Sequence, residues 1–192
     1  MKKSIFLAGA LLTSVSLSAQ DHSYFAGVEF TNFDSEIKGT AVANGNSLSL
    51  TDSDKDNNFG IKFGIDNIAN GRTYLKYGEL YNKDGIEYKS LSVNYDYYIT
   101  KYKILTPFIG GGIGYGDLQW SAFGASASDK GVEYGVRLGT LIDITKNANI
   151  EIAYNYLKTS ANAKYVEAST GDSLSMEGQN SKGLSIGFNY KF

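Results

Sequence analysis

The chain ends with Leu184-Ser185-Ile186-Gly187-Phe188-Asn189-Tyr190-Lys191-Phe192, in which apolar side chains alternate with small or polar ones. Successive side chains of a β-strand point to opposite faces, so this stretch predicts a strand with one wholly apolar face. The opposite face carries Ser, Gly, Asn and Lys. Such a strand is suited to a boundary between an apolar medium and a polar or crowded one.

The same period of two recurs upstream in the segments 24–31, 59–66, 91–99, 107–115, 132–139 and 150–156. Residues 72–81 match it least well, because Glu79 interrupts the apolar face that Leu75 and Tyr77 begin. We place Glu79 near the outer rim. No segment after the first twenty residues has a helical period. Together with residues 184–192, these segments predict eight strands.

The predicted connections alternate in length. Short turns lie at 67–71, 100–103 and 143–147, whereas the segments near 34–56, 117–130 and 158–181 are long and polar. A compact hairpin at 82–85 is the exception on the long-loop side. Short turns on one rim and long loops on the other are typical of small membrane barrels. Leu48 and Leu50 still alternate with serines, so we expect some strands to continue past the bilayer as a protruding sheet.

Alternation alone does not say which face points outward. A soluble lipocalin-like barrel would hold the apolar face inside, around a ligand. Here the other face is rich in Gly, Ser and Asn with isolated charges, which suits a narrow lumen better than a soluble exterior. Tyr is frequent near the strand ends, as in the aromatic girdles of membrane barrels. We therefore predict an all-β fold, an eight-stranded antiparallel transmembrane up-and-down β-barrel, closed so that no strand edge meets lipid.

Residues 1–19 have the layout of a secretory signal peptide. Lys2 and Lys3 precede an apolar run at 5–12, and a stretch of small residues ends at Ala19. Cleavage after Ala19, or at a neighbouring bond, would leave residues 20–192 as the barrel domain. We expect export to the bacterial outer membrane with both termini in the periplasm.

Composition excludes several functions. The 192-residue chain has no Cys and one His, which removes disulfides, thiolate sites and most His-based catalysis. Its net charge of −2, with the two signs mixed along the chain, provides no electrostatic footprint for nucleic acid. The single His22 stands in the expected solvated N-terminal tail, so the barrel wall holds no candidate base. We predict a protein that is not an enzyme and that has no cofactor.

Two further features of the long segments have competing interpretations. Asp52, Asp54 and Asp56 could contribute carboxylates to a Ca²⁺ site, but the residues that follow them do not match an EF-hand. We therefore interpret that segment as a solvated acidic loop with no metal. Trp120 and Phe123 could form an adhesive tip or anchor the rim in the bilayer interface, and the sequence leaves both interpretations open.

The polar faces of the predicted strands carry charges of both signs. In a narrow lumen such groups must pair, because an uncompensated buried charge is costly. An eight-stranded interior is only wide enough for side chains to fill, so we predict a salt-bridged plug, with a small ion path as the alternative. The predicted lumen network comprises Glu29, Lys62, Asp66, Asp96, Glu133, Arg137, Glu151 and Lys191, with Lys76 as a further candidate.

The chain resembles the eight-stranded outer-membrane barrels of the outer-membrane protein A and X type, a porin-like group. The stretch 106–116, TPFIGGGIGYG, resembles the Gly-rich middle strand of that group. The chain ending resembles the C-terminal signal read by the barrel-assembly machinery, with Gly187, Tyr190 and Phe192 at the matching positions. The resemblance spans the whole chain and implies the fold and an outer-membrane location. It implies activity poorly, because members differ in function.

These observations predict a non-enzymatic integral outer-membrane protein. We expect roles in membrane integrity and in surface interaction through the long extracellular loops between strands 1–2, 5–6 and 7–8. The expected partners are outer-membrane lipids and lipopolysaccharide, the barrel-assembly machinery during biogenesis and an unknown surface ligand, with no nucleic acid and a monomeric state. A small ion- or solute-conducting porin-like channel is the second hypothesis. A soluble lipocalin-like ligand-binding barrel is the third.

Overall fold

The structure, a computed structural model, describes residues 22–43, 46–83, 85–122, 125–166 and 173–192. The predicted signal peptide, residues 1–19, lies outside the described residues. A search of the described ranges for an apolar helix of membrane-spanning length finds none.

Every regular element in the described ranges is a β-strand. The strands are β1 (Ser23–Ala43), β2 (Asn46–Ile68), β3 (Gly71–Lys83), β4 (Ile86–Tyr98), β5 (Leu105–Ala122), β6 (Ala125–Asp143), β7 (Ala148–Thr159), β8 (Asn162–Val166) and β9 (Ser173–Lys191). The eight predicted alternating segments therefore lie in strands. The strands also include residues between several of these segments.

Antiparallel pairing runs from β1 through β7, and β7 then pairs with β9. The last strand also pairs with β1, which closes the sheet. The eight strands β1 to β7 and β9 therefore form a closed barrel, and the predicted fold class is confirmed. The short β8 is a ninth strand that the alternation does not predict. It pairs with the same edge of β9 as β7 does, after a one-residue shift in register.

The outer face of the barrel is apolar and exposed. Ile61 and Phe63 of β2, Ile113 of β5 and Ile186 of β9 are each more than half exposed, whereas Lys62 between the first two is buried. A continuous exposed apolar band around a barrel is the surface that meets lipid, and a lipocalin would bury it. The lipocalin-like alternative therefore places the two faces the wrong way round.

The apolar outer face ends at a sharp level. Along the outward series, Phe30 is followed by Asn32 on β1 and Phe59 by Asn57 on β2. Both strands continue beyond this level and stay paired up to Ala43 and Asn46. Much of the sequence that was predicted to form long polar loops is therefore strand, and a sheet protrudes beyond the apolar band.

The lumen face of β5 consists of glycines in its middle. A methyl group added at Gly112 would lie 2.8 Å from Asn94 Cγ and 3.0 Å from the Val93 carbonyl oxygen. The missing side chains of β5 therefore leave the room that the polar side chains of β4 occupy. This is the physical reason for the lumen-facing glycines of β5, which are Gly110, Gly112, Gly114 and Gly116.

Candidate functional site: the barrel lumen

Two buried glutamates occupy the centre of the lumen. Glu29 of β1 and Glu151 of β7 both contact Lys62 of β2, whose Nζ lies 2.9 Å from Glu29 Oε2 and 2.8 Å from Glu151 Oε2. Lys76 of β3 also forms an ion pair with Glu29. Inward-facing positions on four strands thus meet, although up to 89 residues separate the partners along the chain.

Two arginines join this centre from β3 and β6. Arg72 donates from Nη2 to Glu151 Oε2 at 2.7 Å and from Nε to Asp96 Oδ2 at 2.9 Å. Arg137 donates to Glu151 and lies 3.4 Å from Glu29 through its Nη2. We call the set the inner ion network. Its members are Glu29, Lys62, Arg72, Lys76, Asp96, Arg137 and Glu151.

Aromatic rings line the inner ion network. The Arg72 guanidinium carbon lies 5.4 Å from the ring centroid of Phe25, 5.2 Å from that of Tyr74 and 5.3 Å from that of Phe108. Arg137 lies 5.2 Å from the Phe108 ring and donates to the Tyr74 hydroxyl. Cation–π contacts of this kind are stronger where water is excluded.

Arg72 and Tyr74 are not among the residues predicted from the sequence. A signal for them exists, because Tyr74 and Arg72 stand two and four residues before Lys76 and therefore share its face. The interruption at Glu79 makes this strand the weakest match to the alternation, which obscures its inward face. The described side chains do not include that of Glu79.

A separate ion pair lies near the rim with the short turns. Lys191 of β9 lies 2.5 Å from Asp66 Oδ2 of β2, and the Tyr98 hydroxyl of β4 donates to the same carboxylate. These residues border a cavity of about 180 Å³, whose wall also includes Lys101 and Asp143. Asp66 and Lys191 therefore stand apart from the inner ion network.

Toward the opposite rim the lumen changes from charged to apolar. Glu133 of β6 accepts a hydrogen bond of 3.2 Å from the Tyr88 hydroxyl and borders a cavity of about 20 Å³, about the size of one water. Above it lies a cluster that we call the apolar cap, which the alternation of residues does not predict. Its buried members are Phe33, Tyr88, Leu118, Ala161 and Ala163.

The lumen charges balance among the described side chains. Five carboxylates (Glu29, Asp66, Asp96, Glu133 and Glu151) face five cations (Lys62, Arg72, Lys76, Arg137 and Lys191). All seven members of the inner ion network are buried or half-buried. The geometry is therefore that of a filled, neutral interior.

The three residues of the predicted assembly signal lie on both faces of β9. Gly187 faces the lumen, where an added methyl group would lie 3.0 Å from the Val28 carbonyl oxygen. Phe192 lies on the outer face with its ring centroid 6.5 Å from that of Tyr24 and 6.3 Å from that of Phe63. Tyr190 is also outward and half exposed. Phe192 thus covers the outside of the β1–β9 seam.

The other candidate residues of the sequence analysis do not belong to the inner ion network. The His22 Nδ1 lies 3.1 Å from the Asn67 carbonyl oxygen, which places the expected tail residue beside the end of β2. Both interpretations of Trp120 are wrong, because its side chain is buried. Phe123 and the side chains of Asp52, Asp54 and Asp56 lie outside the described residues. Among the described residues no cluster could hold a metal ion.

Residues 6–192 match the model of the outer membrane protein beta-barrel domain. The chain belongs to this family. Its members are β-barrels of the outer membrane of Gram-negative bacteria, so the predicted family and membrane are confirmed. A comparison with curated protein sequences finds no match.

Solved structures show the same fold. Neisserial surface protein A is 16% identical, with a TM-score of 0.63 over 90% of this chain and 100% of that chain. OprG from Pseudomonas aeruginosa is also 16% identical, with a TM-score of 0.63 over 89% and 95% of the two chains. OmpT, an outer membrane protease from Escherichia coli, is 9% identical, with a TM-score of 0.50 over 88% and 97%. At these identities the likeness concerns the fold alone.

Proposed function

We propose that this family member is a non-enzymatic outer-membrane barrel whose lumen is sealed and whose protruding strands interact at the cell surface. The observation that carries this proposal is the filled interior, in which balanced ion pairs are followed by an apolar cap. Such an interior supports a structural role and leaves the exposed strands beyond the apolar band as the interacting part. The fold is similar to that of a protease, so the fold does not distinguish an enzyme from a structural protein. The non-enzymatic part of the proposal is based on the absence of a histidine from the barrel wall.

Orientation and partners belong to the same proposal. Residues 1–19 act as the signal peptide, both termini face the periplasm, and the barrel is a monomer in contact with lipids and lipopolysaccharide. The exposed apolar band and the position of His22 and Phe192 at the short-turn rim support this orientation.

Cysteine labelling tests the orientation, because the chain has no Cys of its own. Ser49→Cys lies on the protruding part of β2, and Thr145→Cys lies in a turn at the opposite rim. A membrane-impermeant maleimide on intact cells is expected to label only Ser49→Cys. Labelling of Thr145→Cys alone would show that the barrel has the inverted orientation, and it would overturn the proposed surface role.

The channel alternative has its own test. Purified mature protein in planar bilayers is expected to give no reproducible single-channel steps, since both the inner ion network and the apolar cap must open before ions pass. Steps from the wild-type protein that Arg137→Ala or Glu133→Ala abolishes would establish an ion path through the lumen. In that case the chain would be a channel rather than a sealed barrel.

Assembly offers a further expected result. Gly187, Tyr190 and Phe192 are proposed to be read by the barrel-assembly machinery. Phe192→Ser should lower the amount of folded, heat-modifiable barrel in the outer membrane. Ile186→Ser on the same outward face is the matched control for the loss of an apolar side chain. Equal amounts of folded barrel from the two variants would show that Phe192 carries no special signal.

A further inference from the structure

The outward apolar series of two neighbouring strands each end in a lysine. The outward residues of β7 extend from Ile150 to Tyr156 at a spacing of two, and the next one is Lys158. Those of β9 extend from Tyr190 to Leu184, and the next one is Lys182. Both lysines are exposed. They are therefore the first charged side chains beyond the apolar band on β7 and β9.

The two lysines stand close enough to reach one ligand. The β7–β9 ladder sets Tyr156 opposite Lys182 and Lys158 opposite Asn180, so the lysines are diagonal neighbours on one face. Such neighbours lie about 7–8 Å apart, and lysine carries its ammonium group on a flexible stem. The Tyr156 hydroxyl donates to Asn180 Oδ1 at 3.1 Å, which leaves Asn180 Nδ2 as a third donor group. We call Lys158, Lys182 and Asn180 the two-lysine site.

The charge of this site is not balanced by a neighbouring carboxylate. Among the described side chains, neither of its lysines takes part in an ion pair or a hydrogen bond. The lysines that end the outward apolar series of β4 and β6 do have carboxylate partners. Lys89 pairs with Glu87, and Lys130 Nζ lies 3.3 Å from Asp117 Oδ2. The two-lysine site therefore differs from these positions in offering its charge to a ligand.

We propose that the two-lysine site binds the phosphate group of a membrane lipid. Lysine binds phosphate as a point charge, and lysines beside an anionic lipid surface are attracted to it. The outward residues that precede the two lysines, Tyr154 and Leu184, are 52% and 60% exposed and offer an apolar surface to acyl chains. A lipid therefore contacts the barrel through its phosphate and its chains together, whereas a free phosphate ion contacts the site alone.

The position of the site also fits a lipid headgroup. Tyrosine is enriched where a membrane barrel meets the headgroup level. Tyr156 stands opposite one lysine of the site, and Tyr134 of β6 stands opposite the other. The inference rests on the proposed contact with outer-membrane lipids and deepens it, because it names the place on the barrel and the chemical group that is bound.

The test uses the folded full-length mature chain in detergent micelles and measures lipid binding by native mass spectrometry. The probe is dilauroyl phosphatidic acid, which carries a phosphate monoester, and the control is dilauroyl phosphatidylcholine, which has the same chains. Phosphatidic acid is expected to bind about tenfold more tightly, because the choline lipid has no net charge. Inorganic phosphate at the same concentration should displace little of it. Equal binding of the two lipids, or displacement by inorganic phosphate, would overturn the assignment to a lipid phosphate.

Two double variants locate the site. Lys158→Gln/Lys182→Gln is expected to weaken binding of phosphatidic acid about 25-fold, since each lysine contributes a factor of about five at an anionic lipid surface. Lys89→Gln/Lys130→Gln removes the same number of lysines from β4 and β6 and should change binding by about twofold or less, because those lysines are already paired. Equal weakening by the two variants would show attraction by overall charge, and it would overturn the site, as would unchanged binding by the first variant.

Asp34 provides a check in the opposite direction. Asp34 of β1 stands opposite Lys182, so its carboxylate repels a phosphate bound there. Asp34→Asn is expected to strengthen binding of phosphatidic acid about fivefold, a result that damage to the fold would not produce. Unchanged or weaker binding would contradict the site. The cysteine-labelling experiment reports the orientation independently, so its failure would remove the surface role without removing lipid binding in micelles.

Discussion

Glu151→Gln should destabilise the barrel more than any other single isosteric change in the lumen. Glu151 accepts from Lys62, Arg72 and Arg137, and it is fully buried. Gln keeps the size of the side chain but leaves the inner ion network with four cations and two carboxylates. Removing one partner of a buried ionic cluster costs about 3–5 kcal/mol, because the remaining charges are uncompensated. The measurement is equilibrium unfolding by urea in lipid vesicles. The folded fraction at each urea concentration is read from the heat-modifiable band on a gel.

Glu87→Gln is the matched control for this experiment. Glu87 pairs with Lys89 on the outside of β4, where both side chains are partly exposed. An exposed ion pair contributes about 1 kcal/mol or less, so this variant should unfold close to the wild type. Adding Arg137→Gln to Glu151→Gln reduces the excess of positive charge and should recover part of the loss, since the two sites are coupled. Equal unfolding midpoints for Glu151→Gln and Glu87→Gln would contradict a stabilising role for the network.

Gly110→Ala should also reduce the free energy of unfolding, by a different mechanism. An added methyl group would lie 2.9 Å from the Tyr95 carbonyl oxygen and 3.0 Å from Arg137 Cγ, and it would overlap the Asp96 carboxylate. The carboxylate would have to leave Arg72, or β5 would have to move away from β4. Overpacking of this kind costs about 1–3 kcal/mol before the lost ion pair is counted.

Gly111→Ala tests whether position rather than glycine content matters. Gly111 is the next residue on the same strand, and an added methyl group has one close neighbour, the Gly135 carbonyl oxygen at 3.3 Å. This variant should unfold at nearly the same urea concentration as the wild type. A larger loss for Gly111→Ala than for Gly110→Ala would mean that backbone entropy, not room for lumen side chains, explains the glycines.

The inward charges show what the alternation of residues along a strand can predict and what it cannot. Side-chain direction in a strand depends only on the spacing along the chain, so Glu29, Lys62 and Glu151 could be assigned to one face from sequence. Their pairing could not be assigned, because it depends on which strands face each other across the lumen. Asp66 and Lys191 show the difference. They share the predicted inward face with the others, yet they form a separate pair at the short-turn rim.

Arg72 and Trp120 show a second limit of local pattern. Arg72 shares the face of Lys76, but the interruption at Glu79 weakens the alternation of that strand. Trp120 lies beyond the apolar band, where the alternation no longer indicates which face is buried. The buried position of Trp120 arises because β5 and β6 remain paired beyond the apolar band and turn their inner faces toward the barrel axis. Only the three-dimensional arrangement of these strands creates the apolar cap.

The sequence by itself determined the closed barrel, its apolar exterior and its polar lumen, because alternation is a local property and a lipid-exposed sheet must close to pair its edges. Tertiary structure alone decided which charges meet in the inner ion network, where the apolar cap lies and how far β2 extends past its ladder with β3. These features depend on register and strand length around the whole barrel. Their physical cause is long-range, since each contact joins residues from strands that only barrel closure brings together.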